Sequence, residues 1–303
     1  MKNKKWAPLL VMTIFCHFAM AQDYAFQVMI NKGNNEVKSG DSWQPVKTGA
    51  TLKTTDEIKL EPNAYLGLRH TTGKMLELKS QGTHKVADLA KNVGTGSSVM
   101  NKYTDFILSS NSAEAKKNRL SATGAVHRTR GTGDGAIDLL LPENQFSRVY
   151  GDQVIINWES EKVQGPYVIE LQNMFEDVLA KYETDAKSYT INLTEPNLSD
   201  KDLNAIMVRV SSKNDPKQTS SIKMIQKLSA EDYNKVKTDL TELGPVLDET
   251  AINKYFLANF FEKNNLLVDA ITAYKQAIAL EPSFEAEFEE FMYRKNLKQP
   301  KQN

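Results

Sequence analysis

The chain has 303 residues, of which 40% are hydrophobic and 25% charged, with 38 basic and 38 acidic side chains. That balance excludes a largely disordered chain and the distinctly basic surface of a nucleic-acid-binding protein, and the length calls for two or three domains rather than one core. A single cysteine, Cys16, leaves no partner for a disulfide within the chain.

Residues 1–21 read as a secretory signal peptide. Lys2, Lys4 and Lys5 form a positive start, Trp6 to Phe18 form an apolar run short for a membrane span, and Ala19-Met20-Ala21 gives the small-x-small pattern of a cleavage site. A buried N-terminal helix, an uncleaved anchor, or lipidation at Cys16 are the competing readings; TIFC lacks the small residues expected before a lipidated cysteine. Cleavage after Ala21 removes three lysines and the only cysteine, which excludes thiol chemistry and a cysteine-based zinc site. No later stretch approaches a membrane span.

Residues 22–95 carry a β pattern. YAFQVMI and EIKL read as strands, AYLGLRH alternates Ala64, Leu66 and Leu68 against Tyr65, Gly67 and Arg69 as a half-buried strand does, and TTGK turns into MLELK. Short strands in this number predict a small barrel or sandwich.

The stretch from Gly33 to Leu78 resembles the FecR-type domain of bacterial envelope proteins. The resemblance rests on Val37, Gly40, Trp43, Pro45, Val46, Gly49, Leu52, Asp56, Ile58, Ala64, Leu66, Leu68 and Gly73, with Gly and Asp at turns and apolar residues alternating into one core. It implies a small all-β domain in a bacterial envelope protein. The family's signalling members carry a cytoplasmic segment and a spanning helix, which this sequence does not show.

Residues 96–135 read as a helix and then a linker. Val99, Tyr103, Phe106 and Ile107 share a helical face, and the polar, Gly-rich run around 110–135 separates the N-terminal β pattern from the next group of strands. Residues 136–228 hold seven strand-like runs: AIDLLLP, QVIINW, YVIELQ, DVLAKYE, SYTINL, AIMVRVSS and SSIKMIQKL. With an early Trp158 and no disulfide, they predict an immunoglobulin- or fibronectin-III-like β-sandwich. Trp158 reads as core; ligand stacking is the alternative.

Residues 229–303 switch to a helical period. Ser229, Asp248 and Ser283 stand at N-cap positions, and Phe284, Phe288 and Phe291 align on the last helix. Residues 251–284 resemble one tetratricopeptide repeat through Leu257, Ala258, Phe261, Ala270, Tyr274, Ala277 and Pro282. The sequence holds no second full copy. A lone hairpin cannot bury its own face, so it must lean on neighbouring helices, on the sandwich, or on a partner.

Residues with catalytic potential are scattered. His70, His84 and His127 occupy separate segments without metal-ligand spacing. Ser220 and Lys223 have Ser-x-x-Lys spacing but fall on a strand-like run, which points them to opposite faces. Residues 131–135, GTGDG, lack the Lys-Ser/Thr of a P-loop, and the neighbouring Arg128 and Arg130 read as a solvated basic loop. Asp200 and Asp202 have too few companions for a calcium loop. EAEFEE reads as the solvated face of the last helix.

The sequence thus predicts a multidomain α+β, non-enzymatic protein exported by a Gram-negative-type bacterium, periplasmic or at the cell surface. It would act as a scaffold or adaptor, with no cofactor, holding other envelope proteins on the C-terminal helices through Tyr255, Phe256 and Phe260. The alternatives are a module that binds peptidoglycan or glycan, stacking it on Trp43 and Tyr65 beside Arg69, and a hydrolase with carboxylates drawn from separate segments.

Overall fold

A computed structural model describes residues 24–93, 107–108, 136–200, 202–243 and 249–298. The expected signal peptide at residues 1–21, most of the expected helix from residue 97, the 110–135 linker with His127, Arg128, Arg130 and the GTGDG run, and the Asp248 cap lie outside the described residues. The architecture is α+β: largely antiparallel sheets occupy the N-terminal two-thirds, and most of the helices follow them.

The N-terminal region contains β1 (Tyr24–Lys32), β2 (Asn35–Ser39), β3 (Ser42–Pro45), β4 (Thr51–Lys53), β5 (Glu57–Leu60), β6 (Tyr65–His70), β7 (Met75–Leu78) and β8 (Gly82–Lys85), and ends in α1 (Val86–Lys91). The strands form two four-stranded sheets, β4-β1-β6-β7 and β3-β2-β5-β8. Phe26, Val28 and Leu68 from the first meet Ile58 and Leu60 from the second in one apolar core. The expected turn at Gly73 closes β6 onto β7, with φ at +92°, a value that glycine adopts without steric cost. β6 is buried along almost its whole length, not on one face. Leu66 and Leu68 enter the core between the sheets, whereas Tyr65 joins a second core made with the C-terminal helices.

The central region contains β9 (Asp138–Leu139), β10 (Arg148–Val149), β11 (Gln153–Glu159), β12 (Tyr167–Gln172), β13 (Val178–Thr184), β14 (Ser188–Asn192), β15 (Ala205–Ser212) and β16 (Lys223–Lys227). Each of the seven expected runs carries a strand. β10, two residues long, shows no periodicity from which to read it; it pairs parallel to β16. The sheets β14-β11-β9 and β10-β16-β15-β12-β13 enclose one core, where Trp158 is buried edge-on to Tyr167.

Among the described residues, the C-terminal region contains four helices: α2 (Ala230–Leu243), α3 (Ala251–Lys263), α4 (Leu267–Leu280) and α5 (Glu285–Arg294), with a 3₁₀ turn, Pro282–Phe284, before α5. Ser229 caps α2 by accepting the Asp232 N–H. Thr250 caps α3 through Asn253. Ser283 does not cap α5 as expected: its hydroxyl donates to Glu281, because the 3₁₀ turn carries the chain past Ser283 before α5 begins. Ala258, Ala270 and Ala277 are fully buried, letting α3 and α4 approach closely. Arg294 of α5 makes two charge-assisted bonds, at 2.8 and 2.6 Å, to the buried Glu262 of α3. No helix among the described residues is long and apolar enough to cross a membrane.

Candidate functional site

The helices are wedged against both β regions, and this decides which surfaces stay open. Toward the N-terminal region, Tyr255, Phe256, Tyr274 and Phe284 share a core with Met29, Ile30 and Tyr65. Gly67 makes room for Ile252: a Cβ built on the glycine falls 2.4 Å from Ile252 Cδ1. Glu77 Oε1 accepts the Ile252 N–H at 2.6 Å and the Tyr65 hydroxyl at 3.0 Å. Burial, reinforced by Glu77, holds the Tyr65 phenol well above its ordinary pKa. Lys32 reaches Glu287 at 2.6 Å and lies 4.4 Å from the Phe284 ring centroid.

Toward the central region, α4 lies along the side of β11 that β9 leaves uncovered. β9 pairs only with Trp158 and Glu159, so the other half of that edge needs a different partner. Thr272 Oγ1 accepts the Ile155 N–H at 3.0 Å. The Asp269 carboxylate accepts the N–H groups of Tyr150 and Gly151 at 2.9 and 2.8 Å. Val268, one position earlier, is fully buried in the core between the two central sheets. Burial pushes the Asp269 carboxyl up to about 7, and the two backbone donors oppose the shift.

This packing corrects the expected contact residues. Tyr255, Phe256 and Phe260 are 2%, 0% and 0% exposed, so they form the helical core and not an open docking face. The physical reason is that all three belong to one apolar core with Met29, Ile30 and Tyr65 of the N-terminal sheet and Phe288 and Phe291 of α5. Tyr65 and Arg69 are also buried, and Tyr65 belongs to the core shared with the helices. Only Trp43 stays at the surface, on β3 at the edge of the other sheet, so the expected stacking trio is not assembled.

The groups weighed for catalysis are also dispersed. Ser220 is buried, accepting the Val210 N–H and donating to the Ser221 carbonyl, whereas Lys223 pairs with Glu143. His70 packs edge-on against Phe26 and bonds Thr72, and its burial lowers its pKa. His84 bonds the Ser80 carbonyl. Asp200 accepts the Asp202 N–H in a local turn. Two of the α5 glutamates, Glu287 and Glu289, are engaged by Lys32 and Lys298 rather than simply solvated. Among the described residues, no three metal-binding side chains come together.

Among the described residues, the most exposed large apolar side chains lie on the hairpin joining β12 to β13. Phe175 is 85% exposed and Met174 71%, and Val178 is half exposed. The turn is held by its own polar groups: Asn173 Oδ1 accepts the N–H of Phe175 at 2.8 Å and of Asp177 at 3.0 Å, and Asn173 Nδ2 donates to Asp177 at 2.9 Å. Glu176 takes a positive φ of 68° inside it. Two large apolar side chains are thus held out in water by a pre-formed loop. The signal was present in the sequence as Met-Phe inside QNMFED, where a turn ordinarily carries polar residues. No family model, no curated protein and no solved structure matches this chain.

Proposed function

We propose that this protein is a non-catalytic scaffold exported to the bacterial envelope, whose helical region joins its two β regions and whose β12–β13 tip contacts a partner protein. The observation carrying this reading is the contrast in exposure: the aromatics of the helical hairpin are covered by the chain itself, whereas Met174 and Phe175 stand free. Free aromatic and Met side chains on a pre-formed loop suit recognition, because little conformational freedom is lost on binding.

The FecR-type resemblance of the N-terminal region supports an envelope setting, and the residues 1–21 pattern supports export. A fibronectin-III-like identity for the central region is supported by its strand order, three strands facing a sheet in which β13, β12, β15 and β16 are successive neighbours. The tetratricopeptide-like residues of α3 and α4 serve, in this reading, to join domains. Glycan binding loses ground, since Trp43 stands apart from Tyr65 and Arg69.

The test is a comparative pull-down from envelope extracts with the chain and with its Met174→Ser/Phe175→Ser variant. The variant is expected to lose a specific protein retained by the parent while keeping its Tm. An unchanged set of retained proteins overturns the reading.

A further inference from the structure

We propose that the outer edge of β13 is a self-pairing interface, on which two copies of this chain join antiparallel about Tyr182 and continue the five-stranded sheet across a two-fold axis. β13 is the terminal strand of the order β10-β16-β15-β12-β13, and among the described residues no strand lies beyond it. An unpaired edge is a template for another strand.

The direction of its backbone groups is set by the far side of the sheet. The Ser212 N–H donates to Gln218 and the Ser220 N–H donates to Val210, so Val210 and Ser212 point their backbone groups away from β12. Alternation then turns Arg209 and Ser211 toward β12, and their partners Glu170 and Val168 toward β15. Tyr167 and Ile169 consequently face β13 and bond Thr184 and Tyr182. This leaves the N–H and C=O groups of Lys181 and Glu183 directed outward. Nearer the start of β13, Asn197 Nδ2 donates to the Leu179 carbonyl at 3.3 Å and covers that end. The open stretch is residues 180–184.

Side-chain charge selects the partner and the register. Across β15, β12 and β13, Arg209 pairs with Glu170, and Glu170 with Lys181 at 2.6 Å, so the row reads positive, negative, positive and stops at the edge. Glu183 pairs with Lys213 at 2.6 Å, and Lys181 and Glu183 still keep 56% and 55% of their side-chain surface exposed to a further partner. Antiparallel self-pairing must set outward-directed residues opposite one another. A two-fold at Lys181 opposes two lysines, and one at Glu183 opposes two glutamates; like charges directly opposed are destabilising. A two-fold at Tyr182 sets each Lys181 opposite Glu183 of the second copy, twice, and Ala180 opposite Thr184. The charge row then continues into the second copy, giving an isologous closed dimer.

Sedimentation velocity on residues 22–303, which include every described residue, tests this across the micromolar range. The parent chain is expected to sediment as a dimer. Lys181→Glu and Glu183→Lys are each expected to weaken self-association by roughly tenfold or more. An equimolar mixture of the two variants is expected to recover the dimer, because each Glu then meets a Lys. Circular dichroism and Tm confirm that both variants fold. A monomeric parent, a dimer that neither substitution weakens, or a mixture that fails to recover it overturns the proposal.

Discussion

The helical region meets its two β neighbours in different ways. Against the N-terminal region it covers a sheet face, with Ile252 seated on Gly67 and Tyr65 packed edge-on to Phe284. Against the central region it covers a strand edge, with Asp269 and Thr272 bonding backbone N–H groups while Val268 fills the core beside them. A sheet face has spent its backbone hydrogen bonds within the sheet and asks a neighbour chiefly for shape. An edge still carries unmet N–H and C=O groups, and burying those without partners is costly. The face junction should therefore respond to side-chain volume, and the edge junction to polar chemistry and pH.

The largest effect should come from volume at the face. Ile252→Ala removes a side chain that is 1% exposed and is expected to cost about 2–5 kcal/mol, measured as a fall in stability by urea unfolding. Gly67→Ala alone is expected to cost about 1–3 kcal/mol by overpacking, since the added Cβ meets Ile252. Combined, the two should cost clearly less than their sum, because the new methyl fills part of the space that Ile252 leaves. Strict additivity would show that Gly67 and Ile252 do not share a contact.

The next effect should be confined to the edge and depend on pH. Asp269 has a carboxyl raised from 3.8 to about 7 by burial, so between those values the folded chain binds a proton that the unfolded chain has released. Its contribution to stability is then present below pH ~4, falls as pH rises, and is lost above pH ~7, with an amplitude on the order of 4 kcal/mol at most. Tm measured from pH 4 to 8 should decline through this range in the parent, and the decline should be largely flattened in Asp269→Asn. A parent and variant with parallel pH profiles would remove Asp269 as the source of the dependence.

The two junctions were unequally legible in the sequence. The small residues Ala258, Ala270 and Ala277, with Tyr274 between the last two, announced a tight helical hairpin, because small side chains at helical spacing let two helices approach closely. What covered it could not be read, since Met29, Ile30 and Tyr65 lie about 200 positions away in the chain and periodicity reports only local order. Tyr255, Phe256 and Phe260 therefore looked available when they were core. The alternation in AYLGLRH suggested one wet face, yet a glycine and a tyrosine on the second face were the trace of a packed neighbour. Asp269 interrupts the apolar run LLVDAITAY, and an acid placed there marks a buried acceptor whose donors, Tyr150 and Gly151, only the fold supplies.

The smallest effect isolates the edge from packing. Thr272→Val keeps volume and shape while deleting the oxygen that accepts the Ile155 N–H at 3.0 Å. The Thr272 hydroxyl also donates to the Val268 carbonyl at 3.1 Å, a group already on the helix ladder and less dependent on it. The expected cost is about 1–3 kcal/mol, the penalty of a buried N–H left without a partner. Hydrogen exchange at the Ile155 amide reads this directly, because the bond to Thr272 reaches it from the side where, among the described residues, no strand pairs with it. Faster exchange at Ile155 with little change at Ile156, which faces β14, would show that the helix takes the place of a missing strand. Equal acceleration at both would mean that the edge loosens as a whole and that Thr272 acts through packing alone.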